Sequence, residues 1–158
     1  MGKIAIVNLS NYTSPIIEEY YGQNYITYGR NNDYFQYLID RVRGSATNGA
    51  VINSIIDLIY GNGLTSEEKD INPIQFKEAV NIFKDEDVRR AVSDIKMLGQ
   101  CAFQIQYKGG HSKIASAKHI PIEKLAIQKA DKKGKINGFY YSDDWTGYRI
   151  DEDLKYIS

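Results

Sequence analysis

The sequence contains little of what stabilises small secreted domains. Only one of its 158 residues is a cysteine, Cys101, so no disulfide can form within the chain. We expect this cysteine to be a small buried apolar residue in a reducing compartment. Lysine plus arginine balance aspartate plus glutamate at 20 each. That balance argues against a bulk polyanion binder, although local basic patches remain possible.

Long apolar runs are also missing. No run reaches the ~18 residues that a helix needs to span a bilayer, and residues 4–7 are too short for the core of a signal peptide. We therefore expect a chain that is cytosolic at synthesis and has no membrane partner. At 158 residues the chain fits one domain, which can fold without disulfides or metal.

Residues of the types that catalyse reactions or bind metals are few, and their spacing does not suit a catalytic or metal site. The two histidines, His111 and His119, have no carboxylate or cysteine at metal-ligand spacing, and no serine or cysteine lies in a nucleophile elbow. Turn and packing roles are expected for both. Asp143 and Asp144 beside Trp145 could bind a cation or a sugar, but a solvated loop with an aromatic plug is favoured. The sequence thus predicts no enzyme, no catalytic or metal-binding residue and no cofactor.

Residues 25–64 carry the most coherent pattern. They predict a polar turn at residues 28–32 and then a first helix, which Asn32 or Asp33 would cap. Before this stretch, residues 4–7 predict a short strand and residues 16–21 a helical turn.

The second predicted helix has an unusually broad apolar face. It begins at Ser45 or Thr47, and its width predicts burial on two sides. The apolar residues of this face are Val51, Ile52, Ile55, Ile56, Leu58 and Ile59. Gly61 and Gly63 follow the helix rather than open one, so they predict a helix stop and not a phosphate-binding loop.

Two more helices precede a change of period. Pro73 suits the first position of a third helix, and the acidic residues 85–87 suit the start of a fourth. Three consecutive carboxylates on a helix point in different directions, so a capping turn is favoured over a metal site.

From residue 100 the apolar residues alternate, which is typical of strands. The pattern predicts a hairpin over residues 101–119, strands at 125–130 and 135–141, and another strand after residue 148. The fold class is therefore α+β, with about four N-terminal helices followed by an antiparallel β meander. The predicted divisions are an arm (1–24), a helical part (25–99) and a β part (100–158).

The β part is locally basic. The lysines that make it so are Lys108, Lys113, Lys118, Lys132, Lys133 and Lys135. Such lysines contact phosphates in some proteins and block strand-to-strand aggregation in others. The alternative to a structural role is therefore a small β-rich binding module for nucleic acid or peptide, with Tyr140, Tyr141 and Trp145 on its surface. Exposed rings would stack on bases, whereas buried rings would be core.

Four segments carry a resemblance through their order and spacing over residues 25–147. They are residues 28–32 (YGRNN) with 37–39; 45–53 (SATNGAVIN) with 60–64 (YGNGL); 119–121 (HIP) after the hairpin that opens at 101–103; and 138–145 (GFYYSDDW). Together they resemble the N-terminal half of portal proteins of tailed bacteriophages, particularly the group of phages and prophages of Bacteroidetes-type hosts. The helices and the meander resemble the outer wing of such a subunit.

The resemblance implies a structural, non-enzymatic role in the virion. Portal subunits form a ring, usually of twelve, which is the head–tail connector at one vertex of the capsid. The implied partners are other portal subunits, the terminase motor, capsid and tail proteins, and the double-stranded DNA that is packaged and ejected through the channel. Assembly takes place in the host cytoplasm. The clip, stem and crown of a portal would lie beyond residue 158, so a wing fragment or a truncated prophage remnant is expected, and no DNA-contact residue is transferred to this chain.

Overall fold

The computed structural model describes residues 17–19, 23–67, 69–146 and 154–157. Within these ranges the chain forms four α-helices and antiparallel sheets, which confirms the α+β class. The strands predicted at residues 4–7 and directly after residue 148 lie outside the described residues.

The four helices follow the predicted apolar periodicity. They are α1 (Tyr34–Arg43), α2 (Ala46–Tyr60), α3 (Pro73–Ile82) and α4 (Asp85–Leu98). Ser45 caps α2 as predicted, because its Oγ accepts a hydrogen bond from the backbone N–H of Asn48 at 3.3 Å. Gly61 ends the same helix, and its N–H donates to the carbonyl of Asp57.

The described strands form two separate sheets. They are β1 (Ile17–Glu19), β2 (Tyr25–Tyr28), β3 (Ala102–Tyr107), β4 (Ile114–Ile120), β5 (Leu125–Gln128), β6 (Phe139–Tyr141) and β7 (Lys155–Ile157). One sheet has five strands in the order β1-β2-β5-β6-β7, and the other is the β3–β4 hairpin. The predicted meander is therefore divided, since its hairpin packs on helices while β5 to β7 join the larger sheet.

The helical turn predicted at residues 16–21 is wrong, because Ile17–Glu19 is the edge strand β1. Its partner β2, which the sequence pattern did not predict, pairs antiparallel with β5 and sets Tyr25 opposite Gln128. Backbone hydrogen bonds across the sheet join β1 to β2 and β2 to β5. The chain before the helices is thereby joined to the chain after them.

The core lies on both faces of the larger sheet. Leu125 and Ala126 are consecutive residues of β5, so their side chains point to opposite faces. Ala126 packs with Tyr25 and Trp145 on one face, and Leu125 packs with Phe35 of α1 on the other. Helix α1 therefore covers one face, and the loop that carries Trp145 covers the other.

The β3–β4 hairpin rests on the corner between α3 and α4. Phe83, at this corner, forms a parallel bridge to the buried Ala117 of β4. The ring of Phe83 also meets Phe103 of β3 edge-on, with 5.6 Å between the ring centroids. This base of the hairpin is well packed.

Asn32, one of the two residues predicted to cap α1, instead joins three other elements. It is buried with φ of 58°. Its Nδ2 donates to the carbonyls of Glu123 (3.1 Å) and Leu125 (3.0 Å), while its Oδ1 accepts from the backbone N–H of Tyr28 (3.1 Å). Asp33 takes the N-cap position of α1 without a side-chain capping hydrogen bond. The short amide side chain suits Asn32 to this conformation and to all three bonds.

Candidate functional site

Helix α2 has one broad apolar face, which the described residues cover only in part. Ile56 is 5% exposed and Ile52 is half-buried, whereas Val51, Leu58 and Ile59 are 52%, 80% and 59% exposed. Within the described residues, the prediction that this helix is buried on two sides is therefore wrong. We call Val51, Leu58 and Ile59 the outer face of α2.

The inner side of α2 packs against α1 and α4. An ion pair at the helix surface joins α2 to α4, with 2.5 Å between Arg89 and Asp57. The guanidinium carbon of Arg89 also lies 5.5 Å from the centre of the Tyr60 ring, within reach of a cation–π contact. These contacts hold α2 against α1 and α4, so the helix that carries the outer face has a defined position in the fold.

Other helices of the layer also expose large aliphatic side chains. Ile71 and Ile74 lie at the start of α3, and Ile95 lies on α4. Single exposed aliphatic residues are common on soluble proteins, but several on one helical layer are typical of a surface that contacts another protein.

His119 and Asp94 form a buried pair between β4 and α4. The Nε2 of His119 lies 2.6 Å from the Asp94 Oδ2, and both side chains are nearly excluded from solvent. The backbone N–H of His119 donates to Oδ1 of Asp87, also on α4, at 3.2 Å. The histidine therefore has the packing role that the sequence predicted. Its hydrogen bonds to Asp87 and Asp94 join the hairpin to α4. His111 lies in the hairpin turn Gly109–His111.

The chemistry around this pair does not favour a nucleophile. Burial raises the pKa of Asp94, and its hydrogen bond to His119 opposes that rise. Burial, and next the negative charge of Asp94, raise the pKa of the Cys101 thiol. A reactive cysteine needs a lowered thiol pKa. Cys101 is thus an apolar packing residue, as the sequence predicted, but it is half-buried rather than buried.

Stability should depend on pH through Asp94. Because its pKa in the folded chain lies above the ordinary 3.8, the folded state binds this proton more tightly than the unfolded state does. The stability from Asp94 is then fully present below pH 3.8 and is lost as pH rises through the folded pKa. Asp94→Asn should abolish this loss. The unfolding free energy of the variant minus that of the wild type should therefore increase with pH in urea titrations from pH 3.5 to 6.5.

Asp143→Asn is the matched control with the opposite sign. The hydrogen bond from Lys124 lowers the pKa of Asp143, so its stability contribution is lost as pH falls. The difference between this variant and the wild type should decrease as pH rises. If both variants gave the same slope, burial would not be the dominant influence on Asp94.

The acidic loop beside Trp145 binds its own neighbours. Oδ1 of Asp143 lies 2.5 Å from Nζ of Lys124 and accepts a hydrogen bond from the Tyr141 hydroxyl at 2.8 Å. Asp144 accepts hydrogen bonds from the turn that follows it. Trp145 is buried in the core. This is the loop with an aromatic plug that the sequence favoured, and its carboxylates already have partners.

The lysines of the β part lie on different elements. Lys108 and Lys113 flank the tip of the β3–β4 hairpin, and Lys118 lies on β4. Lys132, Lys133 and Lys135 belong to the turn between β5 and β6. The pair at the hairpin tip lines a groove.

Among the residues that the structure describes, no three histidine, cysteine, aspartate or glutamate side chains come together as a possible metal site. In the same part of the chain, no helix combines the length and the hydropathy needed to cross a bilayer. Comparisons with protein-family models, with curated proteins and with solved structures each gave no match to this chain. Its role is therefore inferred from its own residues and their geometry.

Proposed function

We propose that this chain is the wing region of a tailed-phage portal subunit, a structural part of the head–tail connector ring and not an enzyme. The observation that supports this most strongly is the outer face of α2. Val51, Leu58 and Ile59 are the exposed part of a broad apolar face whose remaining residues already pack within the chain. The resemblance of the same segment to portal wings supports the proposal independently.

The exposed outer face is energetically unfavourable in a monomer. Full burial of a leucine or isoleucine side chain is worth about 1.5–3 kcal/mol relative to exposure. Leu58 at 80% exposure and Ile59 at 59% leave most of that energy available to a neighbouring subunit. Residues spaced seven apart, as Val51 and Leu58 are, lie on one side of a helix and suit docking into a groove.

A ring requires each subunit to contact its neighbours through two different surfaces. The outer face of α2 would be one of these surfaces, and the second would belong to the adjacent copy. In this proposal the further partners are the terminase motor, capsid and tail proteins, and the DNA in the channel. The protein would assemble in the host cytoplasm and reside at the portal vertex of the virion.

The alternative of a base-stacking β module is disfavoured by where the aromatic rings lie. Trp145 is buried, and Tyr140 packs against the cluster that contains it. Tyr141 packs against the cluster on the opposite face of the sheet. Rings placed in this way contribute to the core and cannot present a stacking platform.

Leu58→Asp should weaken self-association and leave folding intact. Leu58 is mostly exposed, so the substitution should change stability by no more than about 0.5 kcal/mol, whereas a charge at an apolar contact is costly to bury. In sedimentation velocity over a concentration series, the wild type should associate and the variant should stay monomeric. Circular dichroism should show the same Tm for both.

Two matched variants make this result specific. Asn53→Asp adds the same charge to an exposed position on another side of α2 and should leave association unchanged. Ile56→Asp places a charge on the buried side and should prevent folding. Equal association of wild type and Leu58→Asp would remove the support that the outer face gives to the proposal.

Negative-stain imaging of the natural gene product that contains this sequence tests the function itself. Rings with a central channel are expected. A product that stays monomeric and shows no rings at micromolar concentration would contradict a portal role.

A further inference from the structure

A groove of about 560 Å³ lies between α3 and the tip of the β3–β4 hairpin. Glu78 and Ile82 line it from α3, and Lys108, Lys113 and Ile114 line it from the hairpin. Its volume is in the range of pockets that hold small ligands or a few residues of a peptide. The two walls belong to different elements, so the groove is a product of the fold and was not visible in the sequence.

The backbone holds the two lysines close together. The N–H of Lys108 donates to the carbonyl of Lys113 at 2.8 Å, across the turn Gly109–His111. Gly110 has φ of 81°, a left-handed conformation that glycine adopts readily. Among the described residues, neither Lys108 nor Lys113 forms an ion pair. Two ammonium groups and one carboxylate, Glu78, leave the groove with a net positive charge.

The rest of the lining is aliphatic. Ile82, Ile114 and Ala115 contribute apolar surface to the groove. Ile74 lies one turn before Glu78 on the same side of α3 and is 76% exposed, so it extends the apolar wall. Positive charges above an aliphatic surface complement a ligand that has carboxylates and aliphatic groups together.

We propose that this groove binds a short acidic peptide segment in which aliphatic and carboxylate side chains alternate. The carboxylates would pair with Lys108 and Lys113, and the aliphatic groups would cover Ile82 and Ile114. A nucleic acid fits less well, because Glu78 repels phosphates and the described residues of the lining include no aromatic ring for bases.

The probe for this site is a fluorescein-labelled heptapeptide of alternating leucine and glutamate. We expect saturable binding by fluorescence anisotropy. The double substitution Lys108→Glu and Lys113→Glu should raise Kd at least about tenfold, since it replaces two attractive pairs by repulsive ones. Ile114→Asn should also raise Kd while leaving the charges unchanged. Circular dichroism melts should show that both variants remain folded.

The matched control is Lys132→Glu with Lys133→Glu, which makes the same change of net charge at the turn between β5 and β6. It should leave Kd within about twofold of the wild type, because neither lysine lines the groove. Leu58→Asp should likewise leave Kd unchanged, so failure of this site and failure of the proposed portal role are distinguishable.

Four results would overturn the proposal. The first is an equal rise in Kd for the two double lysine variants, and the second is equal affinity for a heptapeptide of alternating leucine and lysine. The third is tighter binding of a labelled single-stranded oligonucleotide through Lys108 and Lys113. The fourth is the absence of saturable peptide binding. The third would assign the groove to nucleic acid.

Discussion

Replacing Asn32 by alanine is expected to lower the free energy of unfolding by about 3–4 kcal/mol. The substitution removes three hydrogen bonds to Tyr28, Glu123 and Leu125, each worth about 1 kcal/mol. It also places alanine at φ of 58°, a left-handed conformation that asparagine tolerates better than alanine by up to roughly 1 kcal/mol. Urea unfolding followed by circular dichroism measures this loss.

Asn31→Ala is the matched control. Asn31 has nearly the same backbone angle, φ of 57°, but its side chain is exposed. Only the conformational cost applies, so about 1 kcal/mol should be lost. Asn32→Asp should be at least as destabilised as Asn32→Ala, because it points a carboxylate oxygen at two carbonyls. Equal losses at Asn31 and Asn32 would show that the three hydrogen bonds do not stabilise the fold.

Trp145→Ala should cost roughly 3–5 kcal/mol, the range for removing a large buried aromatic side chain. The ring of Trp145 lies 5.4 Å from that of Tyr25, centroid to centroid, and packs against the fully buried Ala126. Its removal opens a cavity on the face of the sheet opposite helix α1. The same unfolding experiment measures the effect.

Phe139→Ala provides the comparison on the same sheet. Phe139 is largely exposed, so its removal should cost about 1 kcal/mol or less. If Trp145→Ala lowered the free energy of unfolding as little as Phe139→Ala, Trp145 would not belong to the core. The ring would then be a candidate for stacking on bases.

The helices were predictable because their signals are local. Apolar residues three and four apart, the cap at Ser45 and the glycines at 61 and 99 all act within a few positions of the elements that they define. The β3–β4 hairpin was predictable for the same reason, since its two strands are joined by a short turn.

The contacts between residues far apart in the sequence were not predictable. Strand β2 has only four residues, and its alternation of aromatic and β-branched side chains, YITY, is a strand signal that the adjacent polar turn obscured. Its partner β5 lies about a hundred residues later in the chain. The hydrogen bonds of Asn32 to Glu123 and Leu125 were not predicted for the same reason. The Asp94–His119 pair joins a helix to a strand, and no sequence pattern connects these two residues.

The outer face of α2 shows a different limit. The spacing of Val51 to Ile59 predicted burial on two sides, but the described residues bury this apolar face only in part. Periodicity reveals how wide an apolar surface is, but it carries no information on whether the same chain or a neighbour covers it. The structure shows which part of the surface is covered within the chain, because α1 and α4 pack on the inner side of α2.

The most direct test of the central claim is the accessibility of position 58 in the assembled natural gene product. A cysteine is placed there by Leu58→Cys in a Cys101→Ala background, with Lys133→Cys as the control site, and maleimide labelling rates are compared before and after dissociation. Burial of the outer face of α2 by a neighbouring subunit predicts labelling at least about tenfold slower at position 58 in the assembly, with no change at position 133. Equal rates at position 58 in both states would contradict the claim that this face joins one subunit to the next.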